Sequence, residues 1–160
     1  MNQAFIGLGS NLGDSRQHIL DAIDALARLP GTRVLARSRL YSTPPWGVLE
    51  QPSFVNAAVS IETPLSPHDL LDALLMIERA AGRIRDGERW GPRTLDLDLL
   101  HVDGVTLHDE KLTLPHPRMA ERAFVLLPLN DLAPELYLPG WGTVGEMLAA
   151  VDSSKCTLLP

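Results

Sequence analysis

Apolar residues change their spacing several times along this chain, and each change marks an element. Ala4 to Leu8 is a short apolar run, a strand that breaks at glycine. Behind a cap at Asp14 or Ser15, Ile19, Leu20, Ile23, Leu26 and Ala27 fall on one helical stripe, which Pro30-Gly31 ends. Thr32 to Tyr41 predicts a second strand through Val34, Ala36, Ser38 and Leu40. Ser42 to Pro52 carries three prolines and a glycine and has no period, so it reads as a loop long enough to be functional. Ser53 to Glu62 predicts a strand with Phe54, Asn56 and Ala58 on one face and Val55, Ala57, Val59 and Ile61 on the other.

Ser66 then caps a helix, with Pro67 at its first position and Asp69 in its first turn. Leu70, Leu71, Leu74, Leu75, Ile77 and Glu78 continue that helix, and Gly82 stops it. Thr94 to Val102 is the next strand, and Asp103-Gly104 is the turn of a small hairpin leading to Leu107. The remainder is short and proline-punctuated: a loop through His116, a helical turn near Met119 to Val125 and a last helix near Val144 to Val151. Strand, helix, strand, strand, helix, strand is the ferredoxin-like order. The expected fold is therefore α+β: a ferredoxin-like sandwich with a mostly antiparallel sheet, helices packed on one face, the other face left for a site, and long active-site loops.

The most informative stretch is Arg89-Trp90-Gly91-Pro92-Arg93-Thr94-Leu95-Asp96-Leu97-Asp98-Leu99-Leu100. Leu95, Leu97 and Leu99 alternate with Asp96 and Asp98, so the two carboxylates share one strand face with Cα atoms roughly 7 Å apart. An alternating Asp-Leu run is, on its own, also an ordinary half-exposed strand. The exposed tryptophan and rigid turn residues beside it argue for more. Two like charges side by side call for a cation, and Mg²⁺ bridging to substrate phosphates suits such a pair. Arg83, Arg85, Arg89 and Arg93 lie just upstream, and guanidinium forks match phosphate oxygens. The pattern points to phosphoryl-type transfer from a nucleotide, or to Mg²⁺-dependent nucleotide hydrolysis as the alternative.

The same segment resembles the signature of the 6-hydroxymethyl-7,8-dihydropterin pyrophosphokinase family of folate biosynthesis. Gly9-Ser10-Asn11-Leu12-Gly13, Tyr41-Ser42-Thr43-Pro44-Pro45-Trp46-Gly47, Phe54-Val55-Asn56-Ala57-Ala58-Val59 and Leu114-Pro115-His116-Pro117 follow the family's order and spacing. The likeness spans about residues 4 to 140. It implies transfer of pyrophosphate from ATP, the co-substrate, to the hydroxymethyl group of the dihydropterin, releasing AMP. It implies two Mg²⁺ ions on Asp96 and Asp98, and phosphate contacts from Arg85 and Arg93, which with the two aspartates form the catalytic set. Leu71, Leu99, Lys111, His116 and Arg122 would complete the ATP site, with Arg83 positional and Trp90 part of a lid.

For the pterin, the likeness implies backbone contacts from Thr43 and Pro44, a place beside Trp46 and Phe54, hydrogen bonds from Asn56 and stacking by Phe124. Taken alone, an Asn on an apolar strand face is more often a satisfied core polar group. The chain departs from many relatives at three positions: Trp46 replaces an aliphatic residue, Pro117 a tyrosine, and Lys111 an arginine, giving charge without the bidentate fork. The other histidines (His18, His68, His101 and His108) read as surface positions. Gly7-Leu8-Gly9-Ser10-Asn11-Leu12-Gly13 opens a helix after a strand but lacks the Gly-Lys-Ser/Thr of a phosphate loop, so it reads as a tight turn shaping the pterin pocket.

Composition sets outer bounds. At 160 residues, 45% hydrophobic and 21% charged, the chain reads as one globular domain over 1–160. A net charge of −6 speaks against nucleic acid as a partner and makes the arginine cluster a local positive island. No apolar run approaches the ~20 residues of a membrane span. The first residues lack a signal-peptide pattern, and Cys156 is the single cysteine. The expectation is a cytoplasmic monomer that meets ATP and the dihydropterin, and neither nucleic acid nor membrane.

Overall fold

The computed structural model describes residues 1–44, 53–82 and 94–160. Its elements run β1 (Asn2–Ser10), α1 (Ser15–Ala27), β2 (Arg33–Arg37), β3 (Tyr41–Thr43), β4 (Phe54–Thr63), α2 (Pro67–Ala80), β5 (Asp96–Val102), β6 (Leu107–His108) and β7 (Thr113–Leu114). A 3-10 turn at Met119–Glu121 leads to α3 (Ala123–Leu132), then β8 (Tyr137–Leu138), β9 (Gly142–Thr143), α4 (Val144–Ala149) and β10 (Thr157–Leu158). The central sheet is ordered β10-β3-β4-β1-β5, with β2 also on β4, and its pairs are antiparallel. β4 and β5 flank β1 and are joined through α2, the split connection of a ferredoxin-like fold.

The capping predicted for the first two helices is present. Asp14 accepts from the Gln17 N–H at 3.2 Å, and Ser66 from the Asp69 N–H at 3.2 Å. Their apolar stripes pack on one sheet face. There Ile19, Ile23, Leu26, Leu70 and Leu74 meet Ile6, Leu8, Val59, Ile61, Leu97 and Leu99. This is the main core.

Several sequence expectations need correction. β1 does not break at glycine: it pairs through Gly7 and Gly9 to Ser10, because both neighbouring strands hold its backbone. The expected strand Thr32–Tyr41 is two strands. Between them the Ser38 side chain accepts the Ala58 N–H at 2.8 Å and donates to the Arg39 carbonyl at 2.7 Å, bending the chain between two stretches that both pair with β4. The helical turn near Met119 to Val125 opens into α3, which continues past the interior Pro128. Burial of Val125, Leu126 and Leu129 offsets the missing amide. Asp103-Gly104 is a turn, but the hairpin beyond it is β6 with β7 rather than a return onto β5. His101 is buried on β5 against Phe5, not at the surface.

The largest correction concerns the layers. The second sheet face is not left bare by the helices: α3 packs on part of it and α4 packs against α3, burying Phe5, Leu100, Met119, Leu126, Leu129, Val144 and Met147. The end of that face towards Gly9 carries Asn56, Asp96 and Asp98.

Candidate active site

Residues paired across antiparallel strands point to the same face. Tyr41 pairs with Asn56, Asn56 with Gly9, and Gly9 with Asp96, so these four residues form one row across β3, β4, β1 and β5. The next row is Ala58, Gly7 and Asp98. Gly7 and Gly9 carry no side chains, so bare backbone separates Asn56 from the two aspartates. Strand spacing makes that separation about 10 Å. A Cβ at Gly9 would stand 2.9 Å from Asn56 Oδ1, so the close approach of that amide demands glycine.

On the β4 side, Asn56 is buried and its Nδ2 donates to Thr43 Oγ1 at 2.8 Å. That bond fixes the amide orientation and uses one of its donors. Phe54, half-buried, pairs with Thr43 and shares that face. Pro44 follows, exposed at the edge of the described chain. Phe124, half-buried near the start of α3, has the Arg122 guanidinium 5.7 Å from its ring centroid. Thr43, Phe54, Asn56 and Gly9 are thus brought together, and Phe124 is carried on a helix that packs on the same β4.

On the β5 side, Asp96 and Asp98 are half-exposed while Leu95, Leu97 and Leu99 are buried on the opposite face, as the alternation predicted. Leu97 is held between the aspartates by a bond that sequence reasoning missed: its N–H donates to Glu78 at 2.7 Å, and Glu78 on α2 is only 1% exposed. The signal was a carboxylate on the apolar stripe of α2, where the period calls for a leucine.

His116 lies beside this strand, its backbone N–H bonded to the Leu100 carbonyl at 2.9 Å. Its Nδ1 accepts the Arg118 N–H at 3.3 Å, which puts the ring proton on Nε2. Burial pushes its pKa down to about 4, helped by the nearby Arg122 and Arg118 guanidiniums and opposed by Asp96. His116, Arg122 and Asp96 therefore converge, and the imidazole is neutral at pH 7.

The remaining expectations scatter. Lys111 is exposed on the β6–β7 loop, where Asp109 accepts the Lys111 and Leu112 N–H groups at 2.9 Å each and meets His68 at 2.8 Å. Leu71 is half-buried against the main core. Leu99 is 3% exposed within that core, on the face away from Asp96 and Asp98, which leaves its backbone as the part able to meet a nucleotide. Trp46, Arg83, Arg85, Arg89, Trp90 and Arg93 lie outside the described residues.

Among the described residues no group of three or more His, Cys, Asp or Glu side chains comes together. Asp96 and Asp98, two half-exposed carboxylates on one strand face, are a donor set that fits Mg²⁺, which takes one or two carboxylates and completes its shell with water and substrate phosphate oxygens.

An acid pair and an imidazole on one sheet, across a glycine floor from a buried amide, suit an enzyme that transfers a charged group between two bound molecules. The comparisons with known proteins name the family. The model of 7,8-dihydro-6-hydroxymethylpterin-pyrophosphokinase (HPPK) matches residues 5–134. A 2-amino-4-hydroxy-6-hydroxymethyldihydropteridine pyrophosphokinase of Methylorubrum extorquens is 51% identical over 154 residues, 96% of this chain and 96% of the relative. One of Pseudomonas aeruginosa is 48% identical over 160 residues, covering 100% of this chain and 98% of that one. Among solved structures, Plasmodium falciparum HPPK-DHPS with pteroate superposes with a TM-score of 0.74 at 16% identity. The match covers 93% of this chain and 42% of the Plasmodium chain, so the likeness speaks for the fold alone. The chain belongs to the HPPK family. It transfers pyrophosphate from ATP to hydroxymethyldihydropterin in folate biosynthesis.

Proposed function

We propose that this transfer depends on Mg²⁺ held by Asp96 and Asp98, with the pterin lying over the glycine floor between them and Asn56. The observation that carries the reading is the row Asn56–Gly9–Asp96, which sets an amide edge opposite an acid pair at about one ring-system's width. Asn56 offers a donor and an acceptor to the pterin edge, Thr43 and Pro44 its backbone neighbours, and Trp46, Phe54 and Phe124 the ring faces. Two bound Mg²⁺ ions would neutralise phosphate charge and draw the ATP chain towards the hydroxymethyl oxygen.

The chain's own residues do the rest. His116 Nε2–H donates to a phosphate oxygen, and Arg122 adds positive charge beside it. Arg85 and Arg93 act on the transferred group, Leu71, Leu99 and Lys111 line the nucleotide, and Trp90 closes over it. The hydroxyl oxygen attacks the β-phosphorus. The bond from that phosphorus to the α–β bridging oxygen breaks, AMP leaves with that oxygen, and the hydroxyl proton is released. Positioning and charge neutralisation carry the step, and no dedicated base is assigned.

The same reading makes residues 1–160 one domain, working as a cytoplasmic monomer without nucleic acid or membrane. The net charge of −6 speaks against nucleic acid as a partner. The test is AMP formation from ATP and Mg²⁺ with and without the dihydropterin. The reading expects AMP only when the pterin is present and no inorganic phosphate. AMP or phosphate released without pterin would point to a nucleotide hydrolase instead.

A further inference from the structure

Outside the residues so far assigned, the densest polar cluster among the described residues joins β3 to α3. Asp131, near the end of α3, receives three bonds from Arg39: the backbone N–H at 3.1 Å, Nε at 3.1 Å and Nη2 at 2.8 Å. The Tyr41 hydroxyl donates to the same carboxylate, 2.9 Å from each oxygen. Arg39 Nη2 also donates to the Tyr41 oxygen at 3.2 Å, and its guanidinium carbon lies 5.9 Å from the Tyr41 ring centroid. The Tyr41 residue is 5% exposed and the Asp131 side chain 13%, while Arg39 reaches them from a side chain that is 63% exposed.

The place of the cluster matters more than its strength. Tyr41 is the direct ladder partner of Asn56, and two residues on, Thr43 receives the Asn56 amide bond. Asp131 and Phe124 are seven residues apart on α3, close to two turns, so both lie on one side of the helix. Asp131 turns that side to the sheet. The helix that carries the stacking ring is therefore tied, at its far end, to the strand that carries the wall of the amide pocket. Hydrophobic packing sets the distance of α3 from the sheet, and directed bonds add to what holds it against sliding. A bidentate guanidinium–carboxylate pair with a phenol bonded into it supplies such bonds.

We propose that Asp131, Tyr41 and Arg39 are positioning residues for the pterin half of the site: they hold α3 in register on β3 so that Phe124 and Asn56 keep the spacing a flat ring needs. This rests on the reading that the pterin binds between those two residues. None of the three lies on β5, so their loss should weigh on the pterin more than on the nucleotide. Arg39 supplies most of the geometry from a largely exposed position, which lets it be changed without opening the core.

Steady-state kinetics with each substrate varied separately test this on Asp131→Asn, Arg39→Ala and Tyr41→Phe, with Asn56→Ala alongside. The expected result is a KM for the dihydropterin raised about tenfold in Asp131→Asn and Tyr41→Phe, with the KM for ATP and kcat within about twofold. Arg39→Ala should give a rise of similar size in the same direction, and Arg39→Lys should restore little, because the ammonium lacks the fork. Should Asp131→Asn not fold, Tyr41→Phe carries the test, since the ring keeps its buried place. Equal changes in both KM values, or none, in folded variants would overturn the proposal if Asn56→Ala still weakens pterin binding. An Asn56→Ala variant with unaltered pterin KM would instead remove the underlying placement of the pterin, and this proposal with it.

Discussion

The backbone N–H of Leu97 donates to the carboxylate of Glu78 at 2.7 Å, and that carboxylate is buried beneath the strand that bears Asp96 and Asp98. A helix residue thus anchors the midpoint of the acid pair from the opposite face. Removing the acceptor leaves a buried amide without its partner, which costs about 1–3 kcal/mol. Glu78→Ala should lower the free energy of unfolding by that amount in urea titration. The same variant should lose activity at Mg²⁺ concentrations that saturate the parent and recover part of it at higher Mg²⁺. Activity and stability both equal to the parent's would remove Glu78 from the support of the site.

Gly9 gives a sharper test of the pocket floor. An added methyl group would meet Asn56 Oδ1 at 2.9 Å, and that amide is already held by Thr43. Gly9→Ala should therefore push the amide out of place and raise the KM for the pterin by an order of magnitude or more, while leaving the KM for ATP near its parent value. An unchanged pterin KM would show that the ring does not lie over Gly9.

Thr43→Val removes the oxygen that receives the Asn56 amide and keeps the side-chain shape. Asn56 would then be free to turn, and a buried donor would lose its acceptor. The expectation is a destabilisation of about 1–2 kcal/mol by thermal or urea unfolding, together with weaker pterin binding.

Asp131 predicts an acid dependence of stability. Burial alone would raise its pKa, but the bonds from Arg39 and Tyr41 outweigh burial and leave it below the ordinary carboxylate value. A carboxylate depressed in the folded state adds stability above its unfolded pKa of about 3.9. That contribution fades as pH falls through the lower folded value. The difference in unfolding free energy between the parent and Asp131→Asn should be full at pH 6 and shrink steadily below pH 4. A difference that stays constant down to pH 3 would contradict the linkage.

The sequence was most legible where one periodicity ran unopposed. The alternation over Leu95 to Leu99 set the faces of β5 correctly, and the stripes of α1 and α2 with their Asp14 and Ser66 caps set the helices. It was least legible where a side chain replaced a ladder bond or where tertiary packing overrode a local rule. Ser38 divides β2 from β3 through a hydroxyl that no hydropathy pattern reports. Pro128 sits inside α3 because buried neighbours compensate for its missing amide. The covering of the second face by α3, with α4 packed against it, comes from the last third of the chain, whose short elements carry weak periods. Glu78, Tyr41 and Asp131 escaped notice as site supports because their partners are 19 and 90 residues distant in sequence, and such pairings have no local signature.

The central claim is that the carboxylates of Asp96 and Asp98 serve the transfer itself. Pterin-dependent AMP formation by Asp96→Ala, measured beside the parent at saturating ATP and Mg²⁺, tests it most directly. The account predicts a loss of about a hundredfold or more in kcat with the fold intact and pterin binding preserved. A folded Asp96→Ala protein turning over near the parent rate would contradict it.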